Sequence, residues 1–196
     1  MFCFISRVRS VVLIAGAFLL VSCASNVSKI KNDKAATLEE DRGYLLLEVN
    51  TDVQLKKVEL RGAENVNLTQ ADLKAGSNYI LIELEAGEYY VNKVSFDTGY
   101  YNMYLKTNED FFYFNVKPQT ISYIGTLSVK FGNLFGIGST LLVNNSSYAL
   151  EFMQESFPNI LNSRKIVYSG PGKDLFLENN HTPTHTPMPT VVKEEQ

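Results

Sequence analysis

The sequence predicts an all-β fold, an antiparallel β-sandwich with one short C-terminal helix, on three observations. Apolar residues alternate with polar ones over many short stretches, turn residues fill the breaks, and only one segment carries a helical period. In chain order, Leu45, Leu47 and Val49 alternate with Tyr44, Leu46 and Glu48; Val58 and Leu60 alternate with Lys57, Glu59 and Arg61; Ile80, Ile82 and Leu84 alternate with Leu81, Glu83 and Glu85. Each stretch reads as a half-buried strand. Further strands are expected over residues 89–96, 100–105, 111–116, 122–129, 140–144 and 164–168. The breaks are turn chemistry: Asn50-Thr51-Asp52, Ala86-Gly87, Asp97-Thr98-Gly99, Asn108-Glu109-Asp110, Lys117-Pro118 and Asn144-Asn145. Gly125 inside a strand predicts a bulge or a close approach by a neighbour. The helix is expected over residues 148–157, capped by Ser146 or Ser147, supported in its first turn by Glu151 and ended by Pro158. Leu150, Met153 and Phe157 would bury one face of it against the sheet. No internal repeat supports a solenoid or propeller.

Composition narrows the function classes. A chain of 196 residues, 45% hydrophobic and 20% charged, supports one ordinary domain with a sizeable core. A formal net charge of −3 argues against nucleic acid as a partner, because that recognition needs clustered Lys and Arg. Two Cys cannot build a disulfide scaffold or a four-thiolate zinc site.

The N-terminus, MFCFISRVRSVVLIAGAFLLVSC, places Arg7 and Arg9 before an apolar run over residues 11–21. At about 1.5 Å per residue that run spans roughly half of a ~30 Å hydrocarbon core, so it reads as an export signal rather than a permanent span. Leu20-Val21-Ser22-Cys23 resembles the lipobox of bacterial lipoproteins. The resemblance implies a signal peptide over residues 1–22 and a mature chain beginning at Cys23, its thiol carrying diacylglycerol and its amine a fatty acyl chain of the palmitate kind. Two or three chains hold a protein on a membrane where one alone binds marginally. Ala24 after the cysteine, where the family's retention signal is Asp, implies the outer membrane, with the domain facing the periplasm. Ser22-Cys23-Ala24 also fits the small-x-small cleavage site of an ordinary secretory signal, which would discard Cys23. Cleavage before Cys23 removes two of the 18 basic residues and none of the 21 acidic ones, for a formal −5. With Cys3 discarded and Cys23 lipidated, no thiol remains for nucleophilic, redox or metal chemistry.

Residues 23–41 are polar without apolar period and read as a flexible tether, and residues 178–196 form a Thr/Pro-rich tail expected to be disordered. The folded domain is expected over residues 42–177. Leu84-Glu85-Ala86-Gly87-Glu88-Tyr89-Tyr90-Val91 resembles the turn and strand of transthyretin-like sandwiches, including carboxypeptidase regulatory-like domains. Phe112-Tyr113-Phe114-Asn115-Val116 with Ser122-Tyr123-Ile124-Gly125-Thr126-Leu127 is similar to paired strands in bacterial lipoproteins of that fold. The resemblance implies a transthyretin-like or immunoglobulin-like sandwich that binds or scaffolds rather than catalyses. Independently of it, Gly87 suits a tight hairpin from which Tyr89 and Val91 return to one face.

Catalytic candidates are few. His181 and His185 stand four apart, yet the tail's prolines forbid the helix that would join them on a metal. The expected domain holds no histidine for a Ser-His-Asp triad. Gly132, Gly136 and Gly138 match no phosphate-loop spacing, and Phe131, Leu134, Phe135 and Ile137 around them are expected beneath the helix. Glu83, Glu85 and Glu88 offer paired carboxylates, and Glu109-Asp110 reads as a hairpin tip. The aromatic run is the remaining feature: Tyr100, Tyr101, Tyr104, Phe111, Phe112 and Tyr113 form the candidate contact surface, one face of which must be core. The expectation is a non-catalytic accessory or binding module of the cell envelope, without metal or cofactor, anchored to membrane through Cys23 and meeting an envelope protein or glycan. The alternatives are an envelope glycan hydrolase using Glu83 and Glu88, or a carrier of a small apolar ligand in an interior cavity.

Overall fold

The period-two stretches become strands of two facing five-stranded sheets. The computed structural model describes residues 29–97, 102–106, 112–132 and 138–180. Its strands are β1 (Arg42–Thr51), β2 (Leu55–Gly62), β3 (Val66–Thr69), β4 (Gly76–Glu85), β5 (Gly87–Asp97), β6 (Asn102–Lys106), β7 (Tyr113–Val116), β8 (Ile121–Lys130), β9 (Ser139–Val143) and β10 (Ile166–Tyr168). Three helices, α1 (Ser146–Ser156), α2 (Pro158–Ser163) and α3 (Leu175–Asn180), lie near the C-terminal end. The first sheet runs β10-β8-β1-β4 with β9 also on β8, and the second runs β3-β2-β5-β6 with β7 also on β5. Between them Leu45, Leu47 and Val49 of β1 meet Val58 and Leu60 of β2 and Tyr89, Val91 and Val94 of β5. The fold is therefore an all-β sandwich with short C-terminal helices.

Three local expectations are corrected. The pairing is not wholly antiparallel, because β1 with β8 and β8 with β10 are parallel. Parallel neighbours need long crossovers, which the second sheet supplies between β1 and β8, and α1 with α2 between β8 and β10. Ala86-Gly87 does not close a hairpin: β4 pairs with β1 in the first sheet and β5 with β2 in the second, so the turn is a corner between sheets. The strand β1 is not half-buried, since Tyr44 and Leu46 on its outer face are as covered as Leu45 and Leu47.

That outer face holds a second core. Tyr44, Leu46, Leu81, Ile121 and Tyr123 pack under Leu150 and Met153 of α1 and Ile160 and Leu161 of α2. Neither Ser146 nor Ser147 caps α1; Asn145 precedes it without a side-chain cap bond, while the Asn144 side-chain oxygen accepts from the Ser146 N–H at 3.0 Å. Pro158 ends α1 as expected and opens α2 at its first position, where its missing N–H costs nothing. Phe131 packs against the inter-sheet core, edge-on to Phe96 at 5.1 Å, rather than beneath a helix. Leu134, Phe135 and Ile137 lie outside the described residues.

Part of the expected tether is laid along the domain. The Ile30 N–H donates to the Leu81 carbonyl at 2.8 Å, extending the β4 edge. The Asp33 carboxylate accepts from the Asn159 and Ile160 N–H groups at 2.8 and 2.9 Å, and Leu38 is buried in the second core. Arg164 donates to the Ala36 carbonyl at 2.8 Å and lies over the Tyr44 ring at 5.7 Å. Among the described residues no helix is long and apolar enough to cross a membrane.

Candidate binding face

Helices and the segment from Ile30 cover the outside of the first sheet, and the outside of the second faces solvent. Strand parity decides what it displays. In β7 the burial alternates, so Phe114 turns into the core beside Tyr89, their rings 5.8 Å apart, and Tyr113 turns out, half exposed. Tyr113 pairs with Tyr90 across β5 and β7, and the rings stack at 5.2 Å. Of the expected contact surface, Tyr113 is thus displayed, while Phe112 belongs to the inter-sheet core and is corrected to a packing residue. Tyr100, Tyr101 and Phe111 lie outside the described residues, and Tyr104 takes the β6 position opposite Ser95. Cys23, His181, His185, Glu109 and Asp110 also lie outside them.

Beside the tyrosines, β2 presents a charge cluster. The Glu59 carboxylate is 2.6 Å from the Lys57 ammonium, 2.8 Å from the Arg61 guanidinium and 3.6 Å from the Lys93 ammonium. Burial pushes its pKa up, but Lys57, Lys93 and Arg61 together outweigh that and hold it below the ordinary carboxylate range. Around a single buried acid the face presents three cations, although the chain as a whole is acidic.

At the β7 edge an open depression of about 250 Å³ is lined by Glu88, Tyr113, Phe114, Asn115 and Ser169. Glu88 and Asn115 are cross-strand partners. Ser169 comes from the segment after β10; its N–H donates to the Tyr123 carbonyl at 2.8 Å, and its carbonyl accepts from the Asn115 N–H at 3.4 Å. These two bonds stitch the β7 edge to the first sheet. The Ser169 hydroxyl is buried and has no hydrogen-bond partner. Nothing in the strand pattern points to Ser169.

The paired carboxylates do not converge. Glu83 points out from the first sheet and accepts from the Arg42 guanidinium at 2.7 Å, whereas Glu88 points out from the second. Arg42 also meets Glu64 at 2.8 Å. Among the described residues no three His, Cys, Asp or Glu side chains group as metal ligands.

Two other polar groupings fasten the fold. Tyr89, the tyrosine of the motif after Gly87, donates its hydroxyl to the Glu85 carbonyl at 2.9 Å and accepts from the Glu64 N–H at 3.2 Å. Burial, with the Glu64 charge next, pushes it up to about 12. In β8 the expected bulge is present: Leu46 pairs with Tyr123 and Glu48 with Thr126, so one residue of β1 stands against two of β8. The extra residue puts Tyr123 and Thr126 on one face, where buried Glu48 accepts from Thr126 and Ser77, each at 2.5 Å. Asn145 then bonds the Thr126 hydroxyl at 2.9 Å and the Tyr123 hydroxyl at 3.3 Å, fixing the start of α1. Compared with known protein families and with curated proteins, the chain matches none.

Proposed function

We propose that the chain is a bacterial lipoprotein, anchored through Cys23 to the outer membrane, whose sandwich is a non-catalytic binding module facing the periplasm. The observation that carries the binding role is the asymmetry of the two outer faces: one is sealed by helices, and the other displays the Tyr90–Tyr113 stack beside three cations. Aromatic rings with a polar end are suited to contact surfaces. The lipobox Leu20-Val21-Ser22-Cys23 supports the anchor, and the transthyretin-like resemblance supports binding over reaction. The mechanism is tethering. Because the chain joins the β4 edge at Ile30, only seven residue steps separate it from Cys23, a reach of about 25 Å at full extension. A lipid on Cys23 would confine the face to a thin layer above the membrane and raise its effective concentration toward envelope partners, protein or glycan.

The test combines fatty-acid probe labelling in cells with photo-crosslinking from position 113. The wild type should incorporate the probe and Cys23→Ala should not; an unlabelled wild type overturns the anchor. A crosslinker at Tyr113 should capture envelope material that one at exposed Glu155 does not, and equal capture overturns the binding face.

A further inference from the structure

The depression at the β7 edge has the chemistry of a glycan subsite, and we propose that it holds one ring of a neutral oligosaccharide. The inference rests on the binding-module reading and names its ligand. A sugar ring has an apolar C–H face and an equator crowded with hydroxyls, so its site needs a flat apolar surface bordered by both donors and acceptors. Tyr113 supplies the surface: its ring is half exposed and backed by Tyr90 at 5.2 Å, which holds it flat without sealing it. Glu88 and Asn115 supply the border from adjacent strands, the carboxylate as acceptor and the amide as both.

Ser169 closes the depression from the first sheet, its carbonyl accepting from the Asn115 N–H at 3.4 Å and its N–H donating to the Tyr123 carbonyl at 2.8 Å. The polar groups also select for charge. Glu88 is the one acidic or basic side chain in the lining, and the cations around Glu59 lie outside it, so a carboxylate placed in the depression is disfavoured where a neutral polyol is not. At about 250 Å³ the depression is smaller than sites for drug-sized ligands, roughly 300–1,000 Å³, and its open mouth lets a longer chain continue outward. A protein partner would want a wider apolar centre than one tyrosine pair.

The position agrees. Ile30 extends the first sheet at β4, and Ser169 follows β10 at the opposite edge. Four strand spacings, about 19 Å, separate the two sides. The subsite therefore lies on the side away from the segment that leads to Cys23.

The test uses the full lipidated chain in phosphatidylethanolamine vesicles, with maltotetraose, cellotetraose and chitotetraose as neutral probes and tetragalacturonate as the acidic one. Binding is read by saturation-transfer NMR and titration. At least one neutral probe should bind saturably and tetragalacturonate should not. Tyr113→Ala should weaken that binding roughly tenfold and Glu88→Gln several-fold, with unchanged circular dichroism. No saturable binding by any neutral probe, or binding indifferent to Tyr113→Ala, overturns the subsite. A protein captured at position 113 without sugar binding overturns the subsite and leaves the binding module; neither sugar nor capture overturns both.

Discussion

Replacing Gly125 with alanine tests whether the bulge in β8 sets the architecture around it. The residue has φ +115°, a conformation L side chains rarely adopt, and a Cβ there would stand 2.9 Å from the Val143 carbonyl oxygen and 3.4 Å from the Leu142 side chain. The conformation alone costs about 1–3 kcal/mol. The approach adds a second cost, because a backbone carbonyl in a paired strand cannot swing away, and overpacking of this kind costs about 1–3 kcal/mol. Gly76 separates the two: its φ is +102° and nothing lies within 4 Å of a Cβ built on it. Gly76→Ala should lose only the conformational part, and Gly125→Ala about 1–3 kcal/mol more. For a domain of this size the difference amounts to roughly 2–10 °C in Tm. Urea unfolding followed by far-UV circular dichroism, with tyrosine fluorescence as a second probe because the chain lacks Trp, measures both variants. Equal losses, within about 0.5 kcal/mol, would refute the close approach of β9 to the bulge.

Three further outcomes follow from other parts of the fold. Asp33→Ala removes the carboxylate that accepts from two N–H groups at the start of α2, so stability should fall by about 1 kcal/mol; amide exchange should accelerate over residues 29–41 before the strands, and unchanged protection there would contradict the docking. Tyr89 and Tyr123 are both pushed up to about 12, by burial first, so the fold resists their ionisation. An unfolded tyrosine ionises near pH 10; their stabilisation is therefore complete below about pH 10 and is lost as the pH rises toward 12, and ultraviolet titration with all tyrosines ionising together while the fold persists would refute it. Glu59→Gln strips the one acid from among three cations and should cost about 1–2 kcal/mol at low salt, discounted because the cations are partly exposed. Added salt should shrink that loss, and a salt-independent cost would point to packing instead.

How legible the fold is in the sequence depends on what covers each strand. Alternation locates β1, β2, β4 and β5 because one side of each always faces the inter-sheet core. It understates the cover of β1, whose Tyr44-Leu45-Leu46-Leu47 run has apolar residues of both parities; the run itself is the signal of a strand covered on both sides. The corner after β4 escapes a local reading because Ala86-Gly87 is as compatible with a crossing between sheets as with a hairpin. The docking of the tether escapes it through Leu38 and Asp33: one apolar residue in a polar stretch shows no period, and a capping carboxylate acting on Asn159 is 126 positions from its target. Gly125 is legible because a glycine alone among strand residues marks a bulge or a close approach, and β8 has both there.

For the binding face, register decides what composition leaves open. In Phe112-Tyr113-Phe114 the burial alternates, and side-chain period two lets only one parity of a strand reach solvent. Pairing Gly87 with Val116 puts Tyr113 opposite Tyr90 and Asn115 opposite Glu88, on the outer side. A slip of β7 by one residue would bury the Tyr113 ring, strand Phe114 in water and dissolve the depression. Register is strongly specified where such an exchange is costly, and here the cost includes the Tyr89–Phe114 contact at 5.8 Å. Ser169 stands 54 positions from Asn115 and belongs to no alternating pattern, yet two backbone hydrogen bonds place it beside β7. The part of the site that strand pairing creates is therefore readable, through parity, from β5 and β7. The part created by closure of one sheet edge onto the other is not, because a serine after a three-residue strand carries no mark of the edge it will seal.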